Sequence, residues 1–185
     1  MAIKINTEKR IFTLETKHTM YQMQADTYGV LRHLWYGAKT GCDMSYLQDY
    51  PDVGFSGNPH DAGNDRTYSL DTLPLEYAGA GIGDFRVPAV EAVHADGSCA
   101  LDLRYYSHAV KQGKYAIAGL PALYAGEDEA ETLEVVLRDT ASAVEVTLKY
   151  GVLPELDVVT RCAEIRNLGE APVTLTKAAS LCLDM

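Results

Sequence analysis

The sequence predicts an all-β protein, a large antiparallel β-sandwich of about ten strands. Three observations carry that expectation. Apolar residues alternate at period two in the clearest segments, turn-forming clusters separate those segments, and no long window places apolar residues at the i, i+3, i+4, i+7 spacing of a helix. In "ETLEVVLRD", Leu133, Val135 and Leu137 share one face while Thr132, Glu134 and Arg138 take the other. In "AVEVTLKYG", Val144, Val146, Leu148 and Tyr150 alternate with Glu145, Thr147 and Lys149. In "PVTLTKAASLCLD", Val173, Leu175, Ala179, Leu181 and Leu183 fall on one face. A strand with one apolar and one wet face is the habit of antiparallel sheets.

The remaining elements follow in order. Further strands are expected at residues 10–16, 19–24, 30–36, 86–94, 101–110 and 157–166. "DTYG" (26–29), "ADGS" (95–98) and "NLGE" (167–170) read as hairpin connections. Short helical turns are expected only in "DMSYLQDY" (43–50). Two stretches resist assignment. Residues 37–66 form a connection far longer than the usual ~4–6 residues, and "LPLEYAGAGIGDF" (73–85) is rich in Gly and Ala. Connections of that length are functional or disordered, and Tyr46, Tyr50 and Phe55 in the first argue for packing.

Composition narrows the function. The 185 residues are enough for one domain with a real core, and 47% of them are hydrophobic, which excludes a disordered chain. Sixteen basic against twenty-six acidic residues give a net charge of −10, a field that repels a phosphate backbone and argues against nucleic acid. The N-terminus carries no apolar signal segment and no run reaches the ~18 apolar residues of a membrane span, so a cytoplasmic location and no membrane partner are expected. Cys42, Cys99, Cys162 and Cys182 stand far apart without a CxxC pair, the pattern of reduced, partly buried thiols. The chain closes on an apolar strand pattern with no polar tail, which reads as one domain of a longer polypeptide, cut on its C-terminal side.

The long loop "DVGFSGNPHDAGNDRTYSLD" (52–71) holds the candidate chemistry. "GFSGN" is not the GxSxG of a nucleophile elbow, because Ser56 is followed directly by Gly57. His18, His33, His60, His94 and His108 are too scattered for a zinc site, and the G-x-G-x-G of "AGAGIGDF" opens no helix, so it is no phosphate loop. Asn58, Asp61, Asn64 and Asp65 offer hard oxygen ligands to calcium, but without EF-hand spacing or its bidentate Glu. The same residues are also plain turn formers, with Asp65 or Asp71 pairing Arg66 to pin the loop. A third reading is a sugar site. Carboxylates accept pairs of hydroxyl donors, a guanidinium donates in pairs, and aromatic faces cover the C–H side of a sugar ring. Asp52, Asp61, Asp65 and Arg66 supply the polar groups; Tyr50, Phe55 and Tyr68 are near, and Trp35 lies on the preceding strand, where it reads equally well as core. No metal or cofactor is expected.

Residues 54–86 ("GFSGNPHDAGNDRTYSLDTLPLEYAGAGIGDFR"), "LRHLWYG", "DLRYYSHAVKQGKYAIAGLPALY", "EAETLEVVLRD" and the closing "VVTRCAEIRNLGEAPVTLTKAASLCLDM" resemble the N-terminal region of glycoside hydrolase family 36 α-galactosidases. The likeness runs in order over nearly the whole chain. It implies a large N-terminal β-sandwich followed by a (β/α)₈ barrel and a C-terminal sandwich. It also implies retaining cleavage of terminal α-galactose from melibiose, raffinose and related sugars by two barrel aspartates. No alternating strand–helix pattern stands in this chain, so the resemblance places the catalytic pair beyond Met185 and no residue here is assigned a catalytic role. In tetrameric members the N-terminal domain reaches a neighbouring subunit's active site through an aspartate just before the "FS-NP" segment and the arginine of "DRT-SLD". These match Asp52 and Arg66, with Asp49 the alternative to Asp52. The implied partners are an α-galactoside oligosaccharide, the polypeptide's own barrel and further copies in a homo-oligomer. The alternative from another class is a self-sufficient carbohydrate-binding module spanning residues 1–185.

Overall fold

The computed structural model describes residues 1–48, 59–139 and 141–182. Ten strands form among them: β1 (Ile3–Asn6), β2 (Ile11–Glu15), β3 (Thr19–Ala25), β4 (Leu31–Ala38), β5 (Val90–His94), β6 (Arg104–Gln112), β7 (Glu131–Asp139), β8 (Val144–Leu153), β9 (Val158–Asn167) and β10 (Val173–Ala178). All pairing between named strands is antiparallel. Sheet one runs β1-β2-β3-β4, sheet two pairs β10 with β5, and sheet three runs β6-β7-β8-β9. Short 3-10 turns at Ser45–Gln48, His60–Ala62 and Pro154–Leu156 are the only helical elements among the described residues.

The period-two pattern maps directly onto the core. Leu133, Val135 and Leu137 of β7 lie opposite Tyr150, Leu148 and Val146 of β8, and all six are at most 1% exposed. They join Phe12, Leu14, Tyr21 and Met23 of sheet one in one cluster, along with Val90 and Ala92 of β5. Each of the Leu, Val, Phe and Met side chains among them contributes about 1.5–3 kcal/mol relative to exposure. The outward residues of sheet three instead form a charged ladder. Lys111 reaches Glu134 at 2.6 Å, Lys149 reaches Glu164 at 2.7 Å, and Glu164 pairs with Arg166.

The structure departs from the expected elements in four places. β1 is an addition: "IKIN" is too short to show a period, and a distant residue holds it, since Glu131 Oε2 accepts the backbone N–H groups of Ala2 (2.6 Å) and Ile3 (2.9 Å). "DTYG" is a true hairpin between β3 and β4, but "ADGS" and "NLGE" are turns after which the chain changes sheet. Asp96 still makes the local turn by accepting Ser98 N–H at 2.9 Å; local turn chemistry does not choose the strand's distant partner. The strand expected from residue 86 begins at Val90, two residues after Pro88, which has no N–H to give a ladder; the Arg86 side chain is engaged with loop carbonyls. The long final strand stops at Ala178, and its apolar face is broken by a register shift between Leu175 and Lys177, leaving Leu175 43% and Leu181 46% exposed. Leu183 lies outside the described residues. The four cysteines are free, as expected, although Cys42 and Cys99 are exposed rather than partly buried.

Candidate functional site

The segment carrying Arg66 is built on the β3–β4 hairpin. Asp26 opens that turn and Gly29 closes it at φ 79°, a left-handed geometry natural to glycine. Asp26 Oδ1 accepts the N–H groups of Tyr28 and Val30, both at 2.9 Å. Its other oxygen accepts the Tyr68 hydroxyl at 2.6 Å. Tyr68 is 7% exposed, its ring edge against Tyr28 at 4.7 Å. Around them Val30, Ala62, Leu70, Leu73, Leu75 and Ala78 make a second apolar cluster beneath the loop. Arg86 closes the underside by donating to the carbonyls of Leu70 (2.8 Å) and Leu73 (2.7 Å).

Arg66 is exposed on the outer side of this platform, in the turn that follows Asp65. Asp65 Oδ1 accepts the Thr67 N–H at 3.0 Å and the Thr67 hydroxyl at 2.6 Å, and those bonds hold its carboxyl below the usual carboxylate range. Five residues before Arg66, Asp61 pairs with Arg104 at 3.4 Å. Asp52, Asp49, Tyr50, Phe55 and Asn58 lie outside the described residues. Arg66, Asp61 and Asp65 share one short segment by sequence, with Asp61 turned to Arg104 and Asp65 to Thr67. The structure reassigns Tyr68, expected beside a sugar ring, to the platform, because burial and the Asp26 bond consume both its face and its hydroxyl. Asp71 accepts the Ser69 hydroxyl. Trp35 packs partly buried against Ile11, Met20, Leu34 and Met44 and donates its N–H to the Ala38 carbonyl at 3.2 Å, which favours its core reading. The glycine-rich run is fastened to the core: a Cβ on Gly79 would stand 2.1 Å from the Leu101 carbonyl oxygen, so only glycine fits. Among the described residues no three His, Cys, Asp or Glu side chains gather as a metal-holding group.

A buried ionic cluster escaped the sequence reading. Glu76, fully buried, accepts the hydroxyls of Tyr21 and Tyr150 (both 2.7 Å), the His33 Nδ1–H (3.2 Å) and the Arg161 guanidinium (2.7 Å). Burial pushes the Glu76 carboxyl up, but Arg161, His33 and Tyr21 outweigh it and hold the group below its usual range. Burial, aided by Glu76, pushes both tyrosine hydroxyls well above theirs. The cluster bolts down both ends of the long loop. Gln48 donates to the His33 carbonyl at 2.9 Å, His33 N–H donates to the Pro74 carbonyl at 2.8 Å, and Glu76 N–H donates to the Leu31 carbonyl at 2.9 Å. The one sequence hint was a lone glutamate in the apolar run "LPLEYAG".

Comparison with known proteins adds the wider setting. Residues 29–185 match the profile described as the glycosyl hydrolase family 36 N-terminal domain. The chain is 53% identical to the bifunctional alpha-galactosidase/sucrose kinase AgaSK of Mediterraneibacter gnavus, over all of this chain and 20% of that protein. It is 40% identical to the alpha-galactosidase AgaA of Geobacillus stearothermophilus, over all of this chain and 25% of that protein. Among solved structures, the galactosidase domain of AgaSK superposes with a TM-score of 0.96 at 52% identity, covering 98% of this chain and 25% of that one. An AgaA variant in complex with raffinose superposes with a TM-score of 0.87 at 39% identity, covering 92% of this chain and 24% of that one. The chain thus spans about a quarter or less of the length of these relatives.

Proposed function

The chain belongs to the glycosyl hydrolase family 36 N-terminal domain family, and on that premise we propose that it is the non-catalytic N-terminal domain of an α-galactosidase acting on terminal α-galactosides of the melibiose and raffinose type. In this reading the two catalytic carboxylates of retaining hydrolysis belong to the polypeptide's barrel, and this domain supports a homo-oligomer. Arg66 reaches the substrate pocket of a neighbouring subunit, where its guanidinium donates paired hydrogen bonds to sugar hydroxyls; Asp52 accepts from them. The reaction itself remains with the barrel; the domain supplies orientation and closes the pocket to water. A soluble cytoplasmic setting accompanies the proposal.

The observation that supports it is the placement of Arg66, an exposed residue on a short turn whose base is fixed by a buried hydrogen bond and an apolar cluster. A charge so mounted reaches a partner surface without a large ordering cost. That an AgaA variant, a structural relative, was solved in complex with raffinose supports the substrate class proposed. The test is Arg66→Ala in the full-length enzyme. We expect kcat/KM on raffinose and melibiose to fall more than about tenfold, or 1.4 kcal/mol, with the oligomer intact by light scattering. An unchanged kcat/KM on both sugars would rule out the pocket role.

One observation favours the alternative, a domain that binds carbohydrate unaided. Away from Arg66, a cleft of about 430 Å³ is lined by Tyr124, Asp128, Glu129, Leu153, Glu155 and Leu156, an aromatic ring beside carboxylates. Titration of the 185-residue chain with galactose and raffinose by calorimetry separates the two: millimolar or tighter binding selects the self-sufficient module, and no heat selects the shared pocket.

A further inference from the structure

We propose that Tyr68, Asp26 and Arg104 form a clasp that sets where Arg66 presents its guanidinium, making Tyr68 a positioning residue; the inference rests on the pocket role given to Arg66 above. Arg66 lies between two anchors. Asp61, five residues earlier, pairs with Arg104 at 3.4 Å, and Tyr68, two residues later, donates to Asp26 at 2.6 Å. Both anchors converge on one hairpin. Arg104 also donates to the Tyr28 carbonyl at 3.1 Å, and Tyr105 N–H donates to the Gly29 carbonyl at 2.7 Å, so the start of β6 is tied directly to the β3–β4 turn. Asp26 cannot swing to follow a loose loop, because its first oxygen is committed to the N–H groups of Tyr28 and Val30. Arg32 Nε, 3.6 Å from the second oxygen, holds that side of the carboxylate.

The ring and the hydroxyl of Tyr68 do different things. The ring is seated by Tyr28 and the apolar cluster, and it stays seated without its oxygen. The hydroxyl adds a charge-assisted bond with a defined direction, which fixes the rotation of the segment about that ring. Between the two anchors the chain is exposed from Gly63 to Thr67, with local bonds of its own: Asp65 N–H to the Ala62 carbonyl (3.0 Å), Tyr68 N–H to the Asp65 carbonyl (3.3 Å) and the Asp65–Thr67 turn. Loss of the hydroxyl therefore leaves the platform folded and lets the Arg66 turn drift. A drift of this kind weakens substrate capture while the barrel's chemistry proceeds unaltered on whatever binds.

The experiment uses the full-length enzyme with raffinose as the probe and compares wild type, Tyr68→Phe, Arg66→Ala and the double variant. Tyr68→Phe is expected to raise KM about threefold to tenfold, the span of one buried hydrogen bond, with kcat per active site and the oligomer unchanged. In the Arg66→Ala background the same change is expected to add no further loss of kcat/KM. Asp26→Asn keeps an acceptor for the turn and weakens the bond to Tyr68, so it is expected to give an intermediate KM, and it stands in if Tyr68→Phe does not fold. An equal loss with and without Arg66, or a lowered Tm with KM unchanged, would overturn the clasp and leave the pocket role standing. Wild-type kcat/KM in Arg66→Ala overturns the pocket role itself, and the clasp's purpose with it.

Discussion

Two ionic clusters sit on opposite faces of the same two strands. Tyr150 and Arg161 point inward from β8 and β9 to Glu76, while Lys149 and Glu164 point outward and pair with each other. Glu76 is 0% and Arg161 7% exposed at the side chain; Lys149 is 20% and Glu164 35% exposed. The chemistry of the pairs is alike and their salt-bridge distances are equal, 2.7 Å in each case. What differs is the water. Outside, a side chain that loses its partner turns to solvent. Inside, it is stranded, because Glu76 and its four partners satisfy one another and none of them has water to turn to. Geometry alone does not rank a salt bridge; the fate of the abandoned partner does.

The largest expected effect is from Arg161→Met, which leaves Glu76 charged and buried among two tyrosines and a histidine. Denaturant unfolding is expected to show a loss of about 3–5 kcal/mol. A loss below about 1 kcal/mol would erase the contrast between the two faces.

The next effect is on pH dependence. The folded-state pKa of Glu76 is lowered from the ordinary glutamate value of 4.5, with burial opposed and outweighed by Arg161, His33 and Tyr21. A depressed carboxylate contributes stability that is present above pH 4.5 and is lost as pH falls through the depressed value. Glu76→Gln is therefore expected to be less stable near neutrality and to show a shallower fall in the unfolding midpoint below pH 4.5. Equal slopes in wild type and variant would remove Glu76 from the acid limb.

The smallest effect is expected outside. Lys149→Met, which keeps the stem's packing and removes the charge, is expected to cost about 0.2–1 kcal/mol at low salt, and less in 1 M NaCl (Debye length about 3 Å). A cost that does not change with salt would mean that the ladder is held by packing rather than charge.

The outward ladder could be read from sequence because its residues alternate with the core: Glu134 and Lys149 are the wet half of the pattern that makes Leu133 and Leu148 the dry half. The inward cluster could not. Tyr150 counts as an apolar residue in that alternation, Arg161 sits in a strand of mixed pattern, and Glu76 is in a segment with no period at all. The same limit applies to the candidate site. Arg66 is proposed on the strength of the intact "DRTYSLD", whereas Tyr68, in the same motif, reads from sequence as a neighbour of the sugar and belongs to the platform, because its partner Asp26 lies forty-two residues away.

By itself, the sequence determined the all-β class, the positions of most strands, and the dry face of β7 and β8. Those depend on near neighbours: side chains alternate along one strand, and turn residues bond within a few positions. Only the tertiary structure decided which strands pair after "ADGS" and "NLGE", that Glu131 recruits β1, and that Glu76 draws Tyr21, His33, Tyr150 and Arg161 into one buried cluster. Those outcomes depend on which distant groups are desolvated together, a property of the packed chain that no local window contains.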